Sequence, residues 1–130
     1  MHRSRIGVAL LDHPAETYDA AAAFWAGAVG RERGRADAPP EEDPYESLGP
    51  QAGGLLLELQ RTGSGTPPRV HLDIETDDVE AELARVTALG ATVTTRHEEW
   101  AVLADPGGMP FCVVPVQTGD AFEEHAVTWP

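Results

Sequence analysis

Lysine is absent from this chain of 130 residues, and all nine basic residues are arginine. That excludes Schiff-base chemistry and a phosphate-loop lysine. Positive charge is scarce overall: 22 acids outnumber nine bases, a formal charge of −13. Phosphate backbones and anionic membranes both demand concentrated positive charge, so neither nucleic acid nor a membrane surface is an expected partner. An acidic surface mainly confers solubility; its sharper implication is a cationic ligand drawn in by the field. The single cysteine, Cys112, cannot close an internal disulfide, and a reducing, cytoplasmic compartment is the expectation. No apolar run reaches the length of a membrane span. The basic residues 1–5 precede only a short apolar strand without a small-residue cleavage site, so no signal peptide is expected. Serine-nucleophile, phosphate-loop, dinucleotide and paired-cysteine zinc motifs are all missing. The His97-Glu98-Glu99 run lacks the second histidine of a zinc-protease helix.

What is present is a pattern that runs twice. At 42% hydrophobic, the chain can bury a real core. Residues 5–12 alternate as a strand, with Ile6, Val8 and Leu10 on one face and Arg5, Gly7 and Ala9 on the other. His13-Pro14 is expected to open a helix whose stripe includes Tyr18, Ala22, Trp25 and Val29, closed by Gly30. Residues 31–35 read as a short charged strand, 36–44 as a Pro-rich loop, 45–48 as a short strand and 55–60 as a firm one. A Gly/Pro linker covers 62–68. Residues 70–75 alternate again, Val70, Leu72 and Ile74 against His71, Asp73 and Glu75. Asp77 and Glu80 have capping-box spacing ahead of a helix ended by Gly90. Strands follow at 91–95, 100–104 and 111–116, with a tight Asp105-Pro106-Gly107-Gly108 turn. The tail, 117–130, is acidic and aperiodic. Strand, helix and about three strands thus occur twice, a degenerate internal repeat. The expected organisation is a single domain over 1–130, with halves at about 5–61 and 69–116. The fold class is α+β, two βαβββ modules forming a curved mixed sheet around a central cleft.

The residues Phe24-Trp25, Val29-Gly30, Val70-His71-Leu72-Asp73, Ala88-Leu89-Gly90-Ala91 and Asp105-Pro106-Gly107-Gly108 with Phe111-Cys112 resemble the vicinal oxygen chelate superfamily, the glyoxalase and bleomycin-resistance proteins. The His-Leu-Asp strand and Phe-Cys ending are most similar to a glyoxalase-like subgroup found in many bacteria. The resemblance implies a homodimer, a small-molecule ligand and a divalent metal held at four inward-facing strand positions. Carried over, those positions fall near Arg5 and on Glu58, His71 and Cys112. Arginine offers no lone pair, and cysteine departs from the family's hard donors. Only Glu58 and His71 remain as family-like metal ligands, so no cofactor is the first expectation and a divalent metal the second.

The expected ligand-binding residues are Arg5, Glu58, His71, Asp73, Trp100 and Cys112; no catalytic residue is assigned. His71 is either a ligand or acid/base or a cavity-lining histidine bonded to Asp73. Glu58 needs a partner, and Arg5 is the expected one. Cys112 reads as a small buried hydrophobe, its thiol reactive only beside a positive charge. Trp100 suits an apolar pocket wall. His2, His13, His97 and His125 are expected in solvent. The functional expectation is a glyoxalase-like protein that binds a small organic molecule without the family's full metal site. The alternative is a metal-dependent lyase, isomerase or dioxygenase.

Overall fold

The computed structural model describes residues 1–34 and 39–130. Strand β1 (His2–Pro14) is the longest element and an interior strand of the sheet. Helix α1 (Tyr18–Ala28), β2 (Tyr45–Pro50) and β3 (Leu56–Thr62) complete the first half. Strand β4 (Arg69–Thr76), helix α2 (Val79–Ala88), β5 (Thr92–Arg96), β6 (Ala101–Ala104) and β7 (Pro110–Pro115) form the second. Helix α3 (Asp120–His125) and β8 (Val127–Trp129) close the described chain. The strands lie in the order β2-β3-β1-β4-β7-β6-β5, and β8 adds to the start of β1. Within each half the first and last strands are parallel, β1 with β3 and β4 with β7, as a crossover through a helix demands. The halves join through the antiparallel β1–β4 pair, which makes one mixed sheet of the two repeats.

Period-2 alternation sorts each strand between two faces. Leu48 and Leu59 pack on Tyr18, Ala22 and Ala26 of α1. Ala101, Leu103, Phe111 and Val113 pack on Leu83 and Val86 of α2. The helices therefore cover one face, and the interleaved residues Glu58, His71, Val102 and Cys112 turn to the other.

Several local expectations change. Pro14 does not open α1; it ends β1 opposite Thr62, where its missing N–H terminates the ladder. The helix starts at Tyr18 after Thr17, which makes no side-chain cap. The cap of α2 is Asp78, whose carboxylate accepts from Ala81 N at 3.0 Å. Asp77 instead accepts from the backbone N–H of Arg3 at 2.7 Å. The strand expected at 31–35 is reduced to an isolated Gly34–Ser47 bridge, and its last residue, with 36–38 of the expected loop, lies outside the described residues. The aperiodic tail forms α3 and β8: Phe122 is fully buried, and Trp129 Nε1 donates to Ser4 Oγ at 2.8 Å. His2 is not in solvent. It is buried with Nε2 2.7 Å from the Glu82 carboxylate, which also holds Arg85. No described helix is long and apolar enough to cross a membrane.

Candidate functional site

An irregularity in β1 decides which of its side chains reach the open face. The pairing with β4 shifts between Ile6 and Val8, so Gly7 is an extra residue and the alternation changes phase there. Before the bulge Arg5 pairs with Glu75, and after it Leu10 pairs with His71. Leu10 and Asp12 thereby face the same side as His71 and Asp73. That side is an open cleft of about 860 Å³ reached by both halves of the sheet. Its lining includes Glu58 and Gln60 from β3, Tyr45 from β2, Val102 from β6 and Cys112 from β7. Trp100, just ahead of β6, lines it too and stacks on His97 with ring centroids 3.9 Å apart.

At the floor, three donors converge. His71 Nε2 lies 3.1 Å from Cys112 Sγ and 3.5 Å from Asp73 Oδ1. His71 and Asp73 share a face two residues apart on β4, and Cys112 stands opposite Asp73 on β7. Burial, reinforced by Asp73 and Asp12, pushes the Cys112 thiol up to about 12. It is therefore a neutral thiol near neutral pH, and His71 does not convert it to a thiolate. Burial also raises the Glu58 carboxyl, with Asp73 and Asp43 adding to the effect. Asp12, only 1% exposed, is raised by burial too, against the opposing pull of Arg69 and His71. Its Oδ2 meets Arg69 Nε at 3.4 Å, while Oδ1 has no partner among the described residues.

Of the residues singled out from the sequence, the structure brings Glu58, His71, Asp73, Trp100 and Cys112 to one cleft. Arg5 stands apart from that lining. Its Nε lies 3.5 Å from Glu75 Oε1, and its Nη1 donates to the Gly53 and Ala121 carbonyls. The expected Arg5–Glu58 pair is not formed, because the bulge and the β1–β4 register direct Arg5 to Glu75. Asp12, Leu10 and Tyr45 escaped the sequence reading. An acid following the apolar run 6–11 was the available signal for Asp12, and ending the strand at residue 12 with a helix opening at His13 hid it.

The same register tests the family's metal. Leu10 lies opposite both Glu58 and His71, so the place on β1 between them is held by a residue with no donor atom. The four strand positions thus read Leu10, Glu58, His71 and Cys112, which does not fit a hard four-ligand site. The donors that do cluster, within 4.8 Å of one another, are His71, Asp73 and Cys112, a mixed N, O and S set.

A mixed sheet of paired βαβββ halves, helices outside and a cleft across the open face, defines the architecture of the glyoxalase and bleomycin-resistance proteins. The chain belongs to the Glyoxalase-like domain family, whose model matches residues 9–114. No curated protein matches it by sequence. Solved structures with the same fold include a hypothetical protein, BH1468, from Bacillus halodurans C-125, at 12% identity and TM-score 0.60, covering 88% of this chain and 95% of the other. A methylmalonyl-CoA epimerase in complex with methylmalonyl-CoA is similar at 19% identity and TM-score 0.58, over 87% and 94% of the two chains. The methylmalonyl-CoA epimerase of Streptomyces coelicolor is 20% identical at TM-score 0.56, over 85% and 96%.

Proposed function

We propose that this chain binds a small organic molecule in the cleft between its halves and works without the family's four-ligand metal site. The observation that carries the reading is the register at Leu10. It leaves an open cleft of about 860 Å³, within the range of small-molecule sites, with an apolar residue where the first metal ligand would stand. Tyr45, Trp100 and Val102 supply apolar wall, and Gln60 and His71 supply polar atoms that orient a guest. An acyl-CoA ligand, as in the epimerase complex, is not carried over, because Asp12, Asp43, Glu58, Asp73 and Glu99 would repel its phosphates. Thermal-shift screening of a broad organic library, with hits mapped by NMR, tests the reading. Hits that perturb Leu10, His71 and Cys112 support it; no hits, or hits mapping elsewhere, sink it.

The second reading, a metal-dependent lyase, isomerase or dioxygenase, is favoured by one observation, the convergence of His71, Asp73 and Cys112. There a metal would polarise adjacent substrate oxygens. Elemental analysis and melting curves with Ni²⁺, Zn²⁺, Mn²⁺ and Fe²⁺ separate the two readings. A stoichiometric metal, or a stabilisation lost in His71→Ala, favours the second; a metal-free chain with no metal-dependent stabilisation rules it out. A homodimer completes the proposal, supported by the exposed outer strand β5, an edge open to a second copy. Light scattering at the mass of one 13.9 kDa chain would count against it.

A further inference from the structure

Asp12 is a buried acid at the end of a run in which β1 otherwise buries Val8 and Leu10. It is 1% exposed, it lines the cleft, and one of its carboxylate oxygens has no partner among the described residues. A buried carboxylate oxygen without a donor is costly, so a site built this way favours a guest that brings one. Its arginine neighbour, Arg69, approaches only the other oxygen, and His71 and His13 are the further basic groups near it. The wider lining carries the same sign. Asp43, Glu58, Asp73 and Glu99 join Asp12, and Arg69 is the only arginine among the described lining residues. Low-dielectric walls around charges of one sign focus the field into the cleft. Tyr45, 43% exposed, and Trp100 present aromatic surface near these carboxylates, which suits both a cation and the apolar body attached to it.

We infer that the ligand is an organic cation, an ammonium or amidinium on an apolar body, whose N–H donors meet Asp12 Oδ1 while its body lies against Tyr45 and Trp100. This rests on the reading of the cleft as a small-molecule site and adds the ligand's charge.

Matched pairs that differ in charge test the inference: 2-phenylethylammonium against 2-phenylethanol, and benzamidinium against benzamide. Binding is measured by ligand-observed NMR and calorimetry at fixed ionic strength, with a chelator present throughout. The cation should bind at least tenfold tighter than its neutral partner. Asp12→Asn should remove most of that advantage and leave the neutral partner's weak affinity within about twofold. Circular dichroism and the melting temperature check that Asp12→Asn folds. Glu99→Gln, next to Trp100 and exposed, should lower cation affinity severalfold without touching the core. Equal binding of cation and neutral partner, or an unchanged preference in both variants, overturns the inference. Failure of all four probes at millimolar concentration overturns it as well. Uncharged hits in the library screen would still leave the small-molecule reading standing, so the two can fail separately.

Discussion

Gly7 shows how one small residue sets which side chains reach the site. A Cβ there would collide with the Glu75 side chain, which lies directly over the bulge. Glu75 cannot swing away cheaply. It is fully buried, accepts from Gln117 N at 2.6 Å and Thr118 N at 2.9 Å, and also bonds the Thr118 hydroxyl. Gly7→Ala should therefore destabilise the fold by about 1–3 kcal/mol, the usual cost of overpacking, seen as a lower urea midpoint. A neutral effect would mean that the Glu75 network is loose. The same bulge explains what was legible in the residues. On β3 and β4 the period of two runs unbroken, so the shared facing of Glu58 with Gln60 and of His71 with Asp73 followed from alternation, whereas β7 is apolar throughout and Cys112 was placed by the family resemblance. On β1 the phase changes at Gly7, an event that an unbroken hydrophobic alternation conceals, and Leu10 and Asp12 went unread as cleft residues. Cys112 supports a second prediction at this scale. With its thiol pushed up to about 12, the thiolate fraction at pH 8 falls far below that of a free cysteine. Alkylation by iodoacetamide should be slower than in urea by on the order of a thousandfold. The sign for stability follows from the raised value. The unfolded chain releases this proton from about pH 8.5 while the folded one keeps it, so this group lowers stability progressively between there and about 12. Rapid alkylation of the native protein at pH 8 would show that the floor of the cleft opens.

At the scale of elements, the repeated strand-helix-strand pattern was readable because each helix buries one stripe on one face of its half-sheet. The C-terminal elements were not readable, because they are short and their burial is supplied by parts of the chain far away in sequence. Helix α3 spans six residues, with one buried anchor, Phe122, under the Arg3 guanidinium. Strand β8 is three residues on the edge of β1, and Trp129 receives the Arg85 guanidinium over its ring at 4.0 Å. No local periodicity can announce elements held by such contacts. They nonetheless close the end of the sheet where Arg5 and Glu75 lie, since the Ala121 carbonyl accepts from Arg5. Phe122→Ala should cost about 3–5 kcal/mol if this segment folds with the sheet as one unit. Denaturation followed by Trp129 fluorescence, in a variant with the other tryptophans replaced, and by far-ultraviolet circular dichroism measures this. Two separated transitions would mean that the tail docks on a sheet that is stable without it.

Across the whole molecule, the charge imbalance sets two responses to salt with opposite signs. Acids exceed arginines by 22 to nine, and arginines are already engaged, Arg3 with Asp77 and Glu123, Arg33 with Glu46, Arg85 with Glu82. Salt weakens exposed pairs such as Arg3–Glu123, but these contribute only about 0–1 kcal/mol each. Pairs on fully buried acids, Glu75 with Arg5 and Glu82 with Arg85, are screened much less. The surplus carboxylates, in contrast, repel one another across the surface at distances comparable to the screening length of about 10 Å in 0.1 M salt. Relief of that repulsion should win. Raising NaCl from about 10 mM to 0.5 M should stabilise the fold by about 1 kcal/mol, roughly 3–6 °C in melting temperature for a chain of this size. Cation binding should respond the other way, because the same screening weakens the field in the cleft, and 2-phenylethylammonium affinity should fall severalfold over the same range. One titration reads both. Stability rising while cation affinity falls is the expected pair. Affinity independent of salt would place recognition in shape and local hydrogen bonds, and a melting temperature that falls with salt would mean that the exposed ion pairs outweigh the net charge.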